Sequence, residues 1–162
     1  MNILRVSLSK GVLLRHALKL TSLNFMKEFE VLEHIADLKI KVSGQDLPEL
    51  FINAALAVAE QQKPGITSPE AEKEEWESVE IQSSDLNSLL VDWLNEILSR
   101  SDLSKKVYTD FQIEELSENR LRAKIAGQKV SQKQIEIKAA TYHGLEIKKI
   151  NKHWKATIIF DI

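Results

Sequence analysis

The sequence has no cysteine, and this absence removes several kinds of chemistry at once. None of the 162 residues is a cysteine, which excludes disulfide bonds, thiolate catalysis and cysteine-ligated zinc sites. The four histidines show no HExxH motif and no other paired ligand spacing. No apolar run reaches the roughly 18 residues of a membrane-spanning helix, so we expect no membrane association.

An excess of positive charge is also missing. The chain carries 22 Lys and Arg against 24 Asp and Glu, a formal net charge of −2, whereas a free-standing nucleic-acid binder usually shows a strong basic excess. Direct, tight RNA binding is therefore not expected. One small basic cluster contains Lys148, Lys149, Lys152 and His153. We interpret it first as a charged hairpin turn and second as a phosphate-facing patch.

The first 25 residues differ from the rest of the chain. Residues 1–25 contain basic side chains but no Asp or Glu, and their apolar stretch is too interrupted for a secretory signal. We expect residues 1–25 to be an N-terminal extension that is poorly ordered, or the result of a start assigned upstream of Met26. An organelle transit peptide is a further alternative. Residues 26–162 are expected to form one domain, an ordinary size for a globular unit.

From Lys27 onward the hydrophobic pattern alternates between strand-like and helix-like segments. One helix is predicted from the cap Asp46 to just before Pro64, with Pro48 in its first turn and Glu49 completing a capping box. A second helix begins after Ser84 or Asp85 and carries a wide apolar face. Strands are predicted near residues 29–31, 38–42, 76–82, 107–113, 121–125, 135–139, 145–147 and 154–162. This order predicts an α+β fold, a mostly antiparallel β-sheet with two main α-helices packed on it.

Motifs that would indicate an enzyme are absent, since the sequence has no P-loop, GxGxxG or GxSxG. Two polar groups stand out, the segment Glu33–Asp37 between two apolar strands and the final pair Asp161 and Ile162. If Asp37 came near this end, its carboxylate, that of Asp161 and the chain terminus would repel one another unless a cation held them. Hard oxygen donors favour Ca²⁺, Mg²⁺ or Mn²⁺ over Zn²⁺. Spacing alone does not show that Asp37 and Asp161 meet.

Five blocks of this sequence carry a family likeness, and they occur in the family's order: Phe29–Asp37, Leu50–Ala57, Leu89–Leu98, Glu136–Leu145 and Phe160–Ile162. Together they resemble the archease family. The likeness covers residues 27–162 and leaves residues 1–25 outside. One departure is Ile35, which stands where the family usually has Thr and removes a hydroxyl beside Asp37.

The resemblance implies a specific function. Archeases are cytoplasmic accessory proteins that activate RtcB-type RNA ligases in tRNA splicing and RNA repair. They promote guanylylation and multiple turnover without forming the RNA bond. Family members hold a divalent cation, and by position its ligands match Asp37, Asp161 and Ile162, the last through main-chain or terminal carboxylate oxygen. The resemblance implies Ca²⁺, with Mg²⁺ or Mn²⁺ as alternatives, and we expect His34 to orient Asp37. RNA would be contacted through the ligase, and the oligomeric state stays open.

Two other functions are weighed against this one. The chief rival is a chaperone-like modulator of RNA-modifying proteins, such as a tRNA methyltransferase. The third is a metal-dependent hydrolase, which is least favoured because no candidate general base or nucleophile accompanies the carboxylates. The sequence is therefore expected not to be an enzyme.

Overall fold

The computed structural model describes residues 28–33, 37–63 and 75–162. The predictions for residues 1–25, His34, Ile35 and most of the loop before Trp76 therefore lie outside the described residues. Within the described ranges the chain forms eight strands and two α-helices. In chain order these are β1 (Phe29–Glu33), β2 (Asp37–Gly44), α1 (Leu47–Gln62), β3 (Glu77–Gln82), α2 (Leu86–Ser104), β4 (Lys106–Leu116), β5 (Arg120–Lys129), β6 (Ala139–Thr141), β7 (Lys148–Ile150) and β8 (His153–Asp161).

The first helix begins at the predicted cap Asp46, and the second begins at Asp85, one of the two candidates that the sequence offers. The Asp46 side chain accepts a hydrogen bond from the Glu49 amide at 2.8 Å, and Asp85 accepts one from the Ser88 amide at 2.8 Å. Each bond satisfies a backbone donor that the first helical turn leaves unpaired. Pro48 lies in the first turn of α1, as predicted. Neither α1 nor α2, the helices of the described ranges, is long and apolar enough to cross a membrane.

The strands divide between two sheets, in which every strand pairing is antiparallel. The first has the order β1-β2-β8-β6, with β7 also paired to β8, and the second has the order β3-β5-β4. Helix α1 contacts β2 in the first sheet and β4 in the second, so it lies between the sheets and is buried along most of its length. The predicted α+β class with two helices packed on antiparallel sheet is confirmed.

The helices are joined by an indole at the centre of the core. Trp93 on α2 is fully buried, and its ring N–H donates to the Phe51 carbonyl on α1 at 3.1 Å. Its ring also meets Phe111 of β4 edge-on, with centroids 6.0 Å apart. A buried tryptophan usually needs such a partner for its N–H, so this contact holds α1, α2 and the second sheet in one arrangement.

Two predicted strands near the C-terminal end are wrong in extent. Of the predicted strand 135–139, only Ala139 lies in a strand, as the first residue of β6. Residues 145–147 lie in no strand. Backbone amides in these segments make individual hydrogen bonds instead of a strand ladder. The Lys138 amide donates to the Asp161 carbonyl at 2.8 Å, and the Ile147 amide donates to the Asn87 side chain at 3.2 Å. Apolar alternation predicted a ladder, but isolated tertiary bonds replace it.

Candidate metal centre at the paired ends of two strands

The structure places Asp37 directly opposite Asp161. Asp37 is the first residue of β2 and Asp161 the last residue of β8, and they are register partners in the antiparallel pair. Side chains opposite one another in such a pair share a face and have Cβ atoms about 5 Å apart. Asp37 is half-buried and Asp161 is exposed. Two carboxylates from distant parts of the chain therefore lie side by side.

Burial of the neighbouring apolar residues fixes this arrangement. Leu38 pairs with Phe160 and Ile40 pairs with Ile158, and all four side chains are buried against the helices. Because side chains alternate between faces along a strand, the residues next to this buried set must point to the outer face. Asp161 occupies that position, as its alternation with Phe160 predicts.

Lys138 binds the end of β8 in a way that sequence reasoning missed. Besides its amide bond to the Asp161 carbonyl, its ammonium donates to the main-chain oxygen of Ile162 at 3.3 Å. The ammonium thus offsets part of the negative charge gathered there. The only available signal was membership of the block Glu136–Leu145, which the family resemblance had already singled out.

The hydroxyl of Thr141 is a further polar group on this side of the first sheet. The Thr141 hydroxyl on β6 is buried and makes no hydrogen bond within the described part of the chain. Ala139 of β6 is the register partner of Asp161, and Thr141 is the partner of Ile159. Thr141 therefore projects from the same outer face as Asp161, one step along the strand. An unpaired buried hydroxyl is unfavourable in a folded protein.

Polar residues of α2 hold this side of the sheet in place. The Asn95 amide group makes two bonds to the backbone of Ala140, accepting from its N–H at 2.7 Å and donating to its carbonyl at 3.2 Å. Asp92 accepts a bond from the Tyr142 hydroxyl at 2.9 Å and one from the Ser83 hydroxyl at 2.5 Å. The bond to Asp92 raises the pKa of Tyr142, with a smaller contribution from burial. The apolar stripe of α2 gave no sign of this role.

The donor set fits a hard cation better than a soft one. Asp37 and Asp161 offer carboxylate oxygens and Ile162 a main-chain oxygen, the ligand types that Ca²⁺, Mg²⁺ and Mn²⁺ prefer. Across residues 28–33, 37–63 and 75–162, no cluster of three or more His, Cys, Asp or Glu side chains is formed. The two carboxylates would therefore need main-chain or water oxygens to complete the coordination of a cation.

Fold and geometry define a class of small α+β proteins with a pair of carboxylates where the end of the chain returns beside an early strand. A sequence profile of the Archease protein family matches residues 29–162. The chain belongs to this family.

Relatives and solved structures agree with this assignment. A protein archease of Methanosarcina mazei is 38% identical over 148 residues, covering 84% of this chain and 97% of the relative. One from Pyrococcus abyssi is 34% identical and covers 85% of this chain and all of the relative. The solution structure of Methanobacterium thermoautotrophicum protein 1598 aligns with a TM-score of 0.67 at 33% identity, over 85% of this chain and 100% of that one. A Thermotoga maritima crystal structure, described as an archease and possible chaperone, aligns with a TM-score of 0.60 at 23% identity, over 82% of this chain and 96% of that one.

Proposed function

We propose that this protein is a metal-binding accessory protein that activates an RtcB-type RNA ligase and is not itself an enzyme. The observation that carries the proposal is the register of β2 and β8, which sets Asp37 opposite Asp161. Membership of the archease family supports the same function. The proposed partner is cytoplasmic, and the protein would act there by promoting guanylylation and multiple turnover of the ligase.

A bound cation would offset the repulsion between the two carboxylates. Two carboxylates about 5 Å apart on an outer face are unfavourable without a counter-charge. The Lys138 ammonium donates to the Ile162 oxygen, and among the residues that the structure describes it makes no hydrogen bond to the side chain of Asp37 or Asp161. The carboxylate oxygens of the pair are therefore open to a ligand. Asp37, Asp161 and the Ile162 main-chain oxygen would hold Ca²⁺, or Mg²⁺ or Mn²⁺ in its place. The cation would supply positive charge at the surface that meets the ligase.

A guanylylation assay tests this proposal directly. A purified RtcB-type ligase is incubated with GTP and Mn²⁺, with and without this protein, and the covalent ligase–GMP adduct is measured. We expect the protein to accelerate adduct formation and the Asp37→Asn and Asp161→Asn variants to fail. Glu118→Gln is a matched control, because Glu118 is an exposed carboxylate in the turn between β4 and β5, away from the pair. Equal stimulation by all three variants would contradict the assigned role.

The rival function keeps one supporting observation. The Thermotoga maritima relative is described as a possible chaperone, which fits a chaperone-like modulator of RNA-modifying proteins such as a tRNA methyltransferase. Affinity purification from cells separates the two. An RtcB-type ligase retained in an Asp161-dependent manner supports the first function, whereas a methyltransferase retained without that dependence supports the second.

A further inference from the structure

A second feature of the outer face lies at the opposite end of β8. Strands β7 and β8 form a hairpin with two residues in its turn, Asn151 and Lys152, and the register pairs Lys148 with Lys155. Between residues 146 and 155 the chain has four lysines, one histidine and one glutamate. The hairpin is therefore strongly basic in a protein whose net charge is −2.

Lys152 occupies a backbone conformation that lysine disfavours. Both turn residues have positive φ, 50° at Asn151 and 67° at Lys152, as the tight type I′ hairpin turn requires. Asparagine tolerates this region, but the second position usually holds glycine, because a side chain there meets the backbone. The sequence thus keeps a lysine where glycine would strain the turn less.

The pair at the base of the hairpin is also locally unfavourable. Lys148 and Lys155 are direct cross-strand partners, and like charges placed opposite one another destabilise a sheet. Glu146 neutralises Lys148 at 2.8 Å, but Lys155 and Lys152 have no ion-pair partner among the residues that the structure describes. Local choices that oppose stability are expected where a segment serves function.

Lys148 and Lys155, the paired lysines of the hairpin strands, share one face with the aspartate pair. Residues 155 and 161 of β8 have the same parity, so both side chains point outward. Six residue steps along the strand separate them, a distance of about 20 Å. Lysine is depleted in protein–protein interfaces, whereas lysines that act as point charges are typical contacts to phosphate.

We propose that the β7–β8 hairpin binds the phosphate backbone of RNA, with Lys155 on its outer face and Lys152 in its turn as the contacting cations. RNA as the occupant rests on the proposed function, since the ligase acts on RNA ends. Direct contact with RNA goes beyond the expectation from the sequence, in which RNA is contacted through the ligase. A strand bound there would extend along β8 toward Asp37 and Asp161. The basic cluster, interpreted first as a solvated hairpin turn, is such a turn in the structure and gains a role as well.

Binding of a fluorescently labelled single-stranded oligoribonucleotide tests the proposal by anisotropy. The full chain is titrated over about 50–200 mM KCl, where phosphate contacts weaken steeply. We expect Lys152→Gly and Lys155→Gln each to raise Kd about three- to tenfold and to reduce the slope of log affinity against log salt by about 0.7. Lys152→Gly should at the same time leave the urea midpoint unchanged or raise it, which separates lost binding from lost folding.

Lys105 offers a matched control. It also has positive φ, 55°, at the C-terminal cap of α2. Lys105→Gly therefore removes one positive charge and relieves the same kind of backbone strain away from the hairpin. We expect this variant to bind RNA like the unaltered protein. An equal loss in Lys105→Gly and Lys152→Gly would show that only net charge matters and would overturn the proposal.

Two further outcomes are decisive. Undetectable RNA binding at low salt, or wild-type affinity in both hairpin variants, overturns the proposal. If these variants keep RNA affinity but lose binding to the ligase, the hairpin recognises an acidic protein surface instead. Guanylylation of the ligase is measured without RNA, so hairpin variants that lose RNA affinity but still stimulate guanylylation separate this proposal from the proposed function. The proposed function fails if the unaltered protein does not stimulate guanylylation or if the aspartate variants remain active.

Discussion

Replacing Asp161 by Asn should raise stability without a cation and lower it, relative to the unaltered protein, when a cation is present. The reason is the apposition of Asp37 and Asp161 on neighbouring strands. At about 5 Å two unit charges repel by ~0.8 kcal/mol in water and ~3.3 kcal/mol at an effective dielectric constant of about 20. Because Asp161 is exposed, solvent screening keeps the repulsion near the lower figure, about 1 kcal/mol or less.

A bound cation reverses the sign of this difference. A ligand that binds only the folded state at a concentration of about 100 times its Kd adds ~2.7 kcal/mol to the free energy of unfolding. The unaltered protein would gain this stabilisation, whereas Asp161→Asn would lose most of it. The two stability curves are therefore expected to cross as the cation concentration rises.

Urea unfolding measures the crossing. Midpoints are determined in EDTA and in a series of CaCl₂ concentrations for the unaltered protein, Asp161→Asn and the control Glu118→Gln. The control should follow the unaltered protein at every concentration. Parallel curves for Asp161→Asn, or a variant that is markedly less stable even in EDTA, would refute the claim that the carboxylate pair is a strained cation site.

Three other predictions concern the stability of the fold. Asn95→Ala leaves both backbone groups of Ala140 without their partner, so we expect a loss of about 1–3 kcal/mol in urea unfolding and faster exchange of that amide. Burial raises the pKa of Glu77, but hydrogen bonds from Lys106 and Tyr108 and nearby cationic charge lower it by more. A carboxyl group with a lowered folded-state pKa stabilises the fold at pH values above its ordinary pKa. This stabilisation is lost as the pH falls through the folded-state pKa. Glu77→Gln should therefore be less stable at pH 7 and lose less stability on acidification, by midpoints measured across the acid range. Gly44→Ala places a Cβ 2.4 Å from the Leu50 amide nitrogen. Thermal unfolding should therefore show a decrease of about 1–3 kcal/mol in the free energy of unfolding.

Local signals made the helices predictable. The capping aspartates Asp46 and Asp85 act within three residues of their partners, so the bonds are visible in the sequence itself. The apolar stripes on both helices likewise follow from spacing. The division into two sheets was not predictable this way, because strand order depends on contacts between distant segments.

Functional residues outside these local patterns were harder to find. Asn95 lies within an apolar helix, and only the tertiary position of Ala140 gives its side chain a role. Lys138 resembles any other surface lysine until the chain end is placed beside it. Family resemblance marked the segments that contain both residues, but it did not assign either one a contact.

The hydrophobic core, more than the carboxylates, determines where the proposed site lies. If β8 slipped by one residue against β2, Asp161 would pair with Leu38, and one of them would occupy the wrong face. Exposing side chains such as Leu38, Ile158 and Phe160 would cost about 1.5–3 kcal/mol each, several times the repulsion of about 1 kcal/mol between the aspartates. The core can therefore hold two like charges together before any cation binds, and the apolar residues beside Asp37 and Asp161 are as necessary to the proposed function as the aspartates.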